Sequence, residues 1–141
     1  FNMRLSNTHF DFDLDLAVER SSNNPVFYVQ YAHARICSIL KEEVRGRRLE
    51  VRFLCEVEKE LAQKVAEFPQ EVEMVARTLE PSRLTRYAME LAACFHKFYG
   101  ECRVLDEDLD IRNSRLCLAE ATRQTLENVL GMLGVSAPEK M

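Results

Sequence analysis

Two tyrosines, an arginine and a serine recur at helical spacing within one stretch: Tyr28, Tyr31, Arg35 and Ser38. Aromatic rings offer faces on which unpaired bases stack. A guanidinium offers charge and donors to phosphate. Together they suit single-stranded nucleic acid. The same spacing also fits tyrosines that pack on a second helix beside a solvated arginine. Spacing alone leaves both readings open and leans towards packing.

Other chemistry is sparse. The three histidines, His9, His33 and His96, lie far apart, and four glycines form no phosphate-cradling loop. No nucleophile has an orienting base nearby in the sequence. His33 falls on an apolar stripe and reads as a satisfied core histidine. His96, Tyr99 and Arg103 share one side of a later segment. They read either as a second RNA-facing patch or, preferably, as a buried polar contact. Asp11, Asp13 and Asp15 alternate without a complementary ligand cluster, so no metal site is assigned. The five cysteines are odd in number and form no C-x-x-C pair. They fit reduced core thiols better than disulfides or zinc. No catalytic residue is assigned.

The elements that must position these side chains are helical. Asn24 is a capping residue and Pro25 suits the first helical position. From there Val26, Val29, His33, Ile36, Leu40 and Val44 fall on one face at 100° per residue, with the tyrosines and Arg35 opposite. This helix runs over about residues 25–44, where Gly46 breaks it. A second helix is predicted over roughly residues 49–68. Pro69 ends it and opens a shorter one with Val72, Val75, Ala76 and Leu79. Pro81 opens a fourth, whose Leu84, Tyr87, Ala88, Leu91, Phe95, Phe98 and Cys102 make an amphipathic face. The last spans about residues 109–133 with Leu116, Ala119, Leu126, Leu130 and Leu133 inward, and Gly134 at its C-terminal cap. Residues 9–16 alternate apolar and acidic, and that period of two predicts a strand. Residues 20–24 read as a linker. Long periodic segments on short connections mean an all-α helical bundle with a short extended N-terminal segment.

The 141 residues suffice for one domain with a core. No apolar run is long enough to cross a bilayer, so no membrane partner is expected. The net charge of −4 argues against a general nucleic-acid binder. Charge is uneven, however. Residues 35–52 carry six basic against three acidic side chains, either a local phosphate-facing patch or a solvated turn between helices.

The run from Asn24 to Ile39 resembles the start of the anticodon-binding (DALR) domain of arginyl-tRNA synthetases. So do Phe1-Asn2-Met3-Arg4, the segment from His9 to Ala17, Glu80-Pro81-Ser82-Arg83-Leu84-Thr85-Arg86-Tyr87, Phe95-His96-Lys97-Phe98-Tyr99 through Val104, and the ending from Leu133 to Met141. The resemblance is loose only between residues 41 and 68. It implies a class I synthetase anticodon-binding bundle over residues 23–141. Residues 1–22 would be the end of a catalytic domain plus linker, with a short helix near residues 13–20, in a chain cut from a longer protein. It implies binding of arginine-specific tRNA through its anticodon. The site would be Tyr28, Tyr31 and Arg35, with Asn24 in the preceding loop and Met141 at the chain's end. The fragment itself would bind no cofactor and catalyse nothing. The parent would be a cytoplasmic, monomeric arginine–tRNA ligase using ATP and Mg²⁺. A helical protein-interaction module without RNA binding is the alternative.

Overall fold

The computed structural model describes residues 9, 11, 13–41, 53, 55–106 and 108–141. Six helices lie among them: α1 Leu14–Val18, α2 Pro25–Lys41, α3 Glu56–Ala66, α4 Phe68–Thr78, α5 Ser82–Glu101 and α6 Leu109–Met132. No described residue lies in a strand. The bundle expected from periodicity is therefore the observed architecture.

Helix α5 is the central post and packs on α2, α3, α4 and α6. Its seven predicted core positions are all buried, from Leu84 to Cys102. A continuous apolar stripe on a twenty-residue helix has to be covered, and three long neighbours cover it. The core joins Val29 and Ile36 of α2, Leu61 of α3, Leu91, Phe95 and Phe98 of α5, and Ala119, Leu126 and Leu130 of α6. Helix α4 lies to one side against α3 and α5 and has no fully buried residue.

Three boundaries differ from expectation. Where the alternation over residues 9–16 predicts a strand, Leu14–Val18 form α1, the short helix that the resemblance implies near residues 13–20; residues 10 and 12 lie outside the described residues. Asp13 is extended (φ −83°, ψ 104°), and its carboxylate accepts the Leu16 N–H at 3.0 Å. An N-cap satisfies the helix start locally, whereas a strand needs a partner edge. Leu14 and Val18 remain 70% and 75% exposed. Second, α3 begins at Glu56, and Phe53 and Cys55 are not helical. The Glu58 carboxylate reaches back to the Cys55 N–H at 3.2 Å, which closes the helix start there. Third, the single second helix over residues 49–68 ends at Ala66, and Phe68 with Pro69 opens α4. Most of the basic run over residues 35–52, Val44 and the Gly46 break lie outside the described residues.

Candidate nucleic-acid interface

Asn24 sets the start of α2. Its Oδ1 accepts the Val26 N–H at 3.1 Å, and its Nδ2 donates to the carbonyls of Ala17 (3.2 Å) and Glu19 (2.9 Å). The side chain is buried and joins the C-terminal end of α1 to the first turn of α2. All three bonds fix backbone, so Asn24 positions the helix and lies apart from the cleft described below.

The two tyrosines of α2 have different surroundings. Tyr28 is half-buried against α5, its ring centroid 4.8 Å from that of His96. Burial first, and then Cys94, raises its pKa. The placement of Tyr28 opposite the core is thus corrected: the helix face next to α5 closes over it. Tyr31 lies a turn further on and is 39% exposed. Its ring is near-parallel to His96 at 6.0 Å. Arg35 donates from Nη1 to the Tyr31 hydroxyl at 2.7 Å and sits 4.2 Å from the Tyr99 ring centroid. A cation over a ring is attracted by the ring's negative face. Tyr99 most, then Tyr31, favours the charged guanidinium, while burial opposes it.

The chain's end is steered to the same place. Gly134 adopts φ +68°. Its N–H donates to the Gly131 carbonyl at 3.1 Å and the Val135 N–H to Leu130 at 2.9 Å. That pair of bonds turns the chain sharply after α6, and only glycine takes such a φ without strain. The tail then runs back along α2. Gln30 donates to the Ser136 carbonyl at 2.8 Å, His33 Nδ1 donates to the Pro138 carbonyl at 2.9 Å, and Lys41 pairs with Glu139 at 2.6 Å. His33 is fully buried and satisfied, as its apolar position predicted.

These elements enclose an open cleft of about 720 Å³. Its walls include Tyr31, Arg35 and Ser38 from α2, Tyr99 from α5, Arg103 from the α5–α6 connection, and Lys140 and Met141 from the tail. Three of the five expected site residues, Tyr31, Arg35 and Met141, meet here. Tyr28 and Asn24 do not line it. Tyr99 and Arg103 belong to the cleft, so the two patches read separately along the sequence are one surface. The signal was present in the shared face of His96, Tyr99 and Arg103. What was hidden was which helix that face meets. His96 backs the cleft from behind Tyr31, and its Nε2 is buried without a hydrogen bond. Burial, and next the charge of Arg35, hold its imidazole below the usual histidine range, against a contribution from the Tyr28 backbone.

Beneath the cleft lies a buried ion pair that the periodicity of α3 did not reveal. Glu58 is 2% exposed and accepts from Arg115 Nε at 2.7 Å. Arg115 also donates to the Arg103 carbonyl (2.9 Å) and to Asp106 (3.1 Å). It thereby ties α3, α6 and the cleft wall together. The Cys55 and Cys102 sulfurs adjoin it, 3.5 Å apart.

A family model described as DALR anticodon binding domain matches residues 29–141. The arginine–tRNA ligase of Symbiobacterium thermophilum is 53% identical over the whole of this chain, and that of Ruminiclostridium cellulolyticum 48%. The chain spans 27% and 26% of those proteins' lengths. Among solved structures, Thermus thermophilus arginyl-tRNA synthetase superposes with a TM-score of 0.83 at 31% identity, over 93% of this chain and 23% of that one. The Plasmodium falciparum enzyme shares the fold, with a TM-score of 0.84 at 24% identity over 99% of this chain and 25% of its own.

Proposed function

We propose, from the premise that this chain belongs to the DALR anticodon-binding domain family of arginyl-tRNA synthetases, that it grips the anticodon of arginine-specific tRNA in the cleft between α2, α5 and the tail. The observation that carries the reading is the convergence of Tyr31, Arg35, Tyr99, Arg103, Lys140 and Met141 on one open space. Its volume lies within the roughly 300–1,000 Å³ range of small-ligand pockets, and it is lined by rings and cations. An extruded base stacks on an exposed ring, gaining about 1–3 kcal/mol. Arg35 is already oriented by two tyrosines, so little side-chain entropy is lost when it meets a phosphate or a base edge. Lys140 and Arg103 add positive charge from two other elements. Met141 supplies a flexible apolar contact. Tyr28 and Asn24 serve this site by position, Tyr28 through His96 behind Tyr31 and Asn24 through the first turn of α2.

In this reading the parent protein attaches arginine to its tRNA using ATP and Mg²⁺ held by its catalytic part, works in the cytoplasm as a monomer, and carries residues 1–22 as the junction between the parts. No helix among the described residues is long and apolar enough to cross a membrane.

The test is a titration of the chain with arginine-specific tRNA and with the same tRNA altered at the central anticodon base. Weaker binding of the altered tRNA supports anticodon reading. Equal binding of both overturns it, and no binding of either favours a protein-docking role for the tyrosine face.

A further inference from the structure

We propose that Cys55 and Cys102 form a modification site, a thiol pair that a peroxide converts into an intramolecular disulfide. The two sulfurs are 3.5 Å apart although the residues are 47 positions apart in sequence. A disulfide needs about 2.05 Å between sulfurs, so a small approach completes it. Both residues stand at helix ends, Cys55 as the N-cap of α3 and Cys102 as the C-cap of α5, each with extended backbone. Neither is locked inside a helix, which leaves room for that approach. Cys55 is half-exposed and Cys102 is buried in the cleft wall. An oxidant therefore reaches Cys55 first, with Cys102 waiting behind it.

With Glu58, the two thiols also form a group whose ligand atoms lie within 4.8 Å of one another. A metal ion fits this place poorly. Glu58 already accepts from Arg115 at 2.7 Å and from the Cys55 N–H at 3.2 Å, and a cation would sit beside the guanidinium. Oxidation adds no charge there. The Cys55 thiolate attacks one peroxide oxygen, the O–O bond breaks, and Cys55 becomes a sulfenic acid with loss of one water. The Cys102 sulfur then attacks the sulfenic sulfur. The S–O bond breaks, and the leaving hydroxide takes the Cys102 proton as a second water. Two thiols and one hydrogen peroxide yield one disulfide and two waters, a two-electron oxidation. Burial, and then Cys55, push the Cys102 thiol up to about 11, with Arg115 acting against them. The second step should therefore quicken as pH rises.

The experiment treats the reduced chain with hydrogen peroxide and maps its peptides without reduction. The expected result is a linked Cys55–Cys102 peptide pair in monomeric protein, a fall from five free thiols to three, and reversal by dithiothreitol. Cys55→Ser and Cys102→Ser, checked for fold by circular dichroism, should each abolish the link. Oxidation confined to the exposed Cys117, irreversible oxidation of Cys55 without a link, or a pair protected by stoichiometric bound zinc would each overturn the proposal.

Discussion

Tyr31 and Ile36 stand five residues apart on α2, and their contrast tests the proposed recognition role against folding. Tyr31 is 39% exposed in the cleft wall, while Ile36 is fully buried in the core. Tyr31→Ala should weaken tRNA binding by about 1–3 kcal/mol and leave the melting temperature nearly unchanged. Ile36→Ala should destabilise by about 2–5 kcal/mol. Titration and melting of both variants side by side check this, and a low-melting Tyr31→Ala that still binds tRNA normally would show the ring to be packing only. Arg35→Ala should also weaken binding. The slope of log affinity against log salt should become shallower by about 1 if the guanidinium meets a phosphate. His96 carries a pH prediction. Its imidazole is held low in the folded state, chiefly by burial. The unfolded chain therefore binds more protons as pH falls. Stability present above the ordinary histidine range is lost as pH drops towards the folded pKa. His96→Phe should flatten that loss as pH falls through and below the ordinary histidine range, read as urea midpoints at successive pH values.

At the scale of elements, the tail and the α4 cap behave differently. The tail is held on α2 by Gln30, His33 and Lys41, and the Lys41–Glu139 pair is exposed, so salt should weaken it. Removing residues 138–141 should leave the helical circular dichroism signal unchanged. It should lower tRNA affinity, because Lys140 and Met141 leave the cleft. Unchanged affinity would remove the tail from the site. Leu79 ends α4 in the left-handed region (φ 57°) and is exposed, with no core contact to justify the strain. Leu79→Gly should stabilise the chain by up to about 1 kcal/mol in chemical denaturation.

At the scale of the whole molecule, Glu58 and Arg115 hold the bundle's register beneath the cleft. Removing Arg115 takes the 2.7 Å guanidinium partner from the buried Glu58 carboxylate. Arg115→Ala should cost about 3–5 kcal/mol. Glu58→Leu combined with Arg115→Met should recover much of that loss, since packed apolar groups need no partner. If the double variant is as unstable as the single one, the bonds of Arg115 to the Arg103 carbonyl and Asp106 matter more than the ion pair. Tyr87 acts similarly as a tie, donating to the Lys64 carbonyl at 2.7 Å where α3 ends.

The amino-acid order alone determined the helices and the inner face of α5, because burial periodicity and caps such as Gly134 act within a few residues of each other. It also put Tyr31 and Arg35 of the candidate cleft on neighbouring turns of one helix face by their spacing. Only the tertiary structure decided that Tyr28 turns against α5 while Tyr31 stays open, since that depends on which helix lies alongside. The same holds for Tyr99 and Arg103 meeting Arg35, for Glu58 lying in the core, and for Cys55 touching Cys102. Each of these joins residues from separate elements, and no local propensity encodes such a meeting. Residues 14–16, the end of the alternating stretch, are the converse case. Their alternation is real, but a strand requires a neighbouring edge to take its hydrogen bonds, and the Asp13 cap offers the backbone a local alternative that needs none.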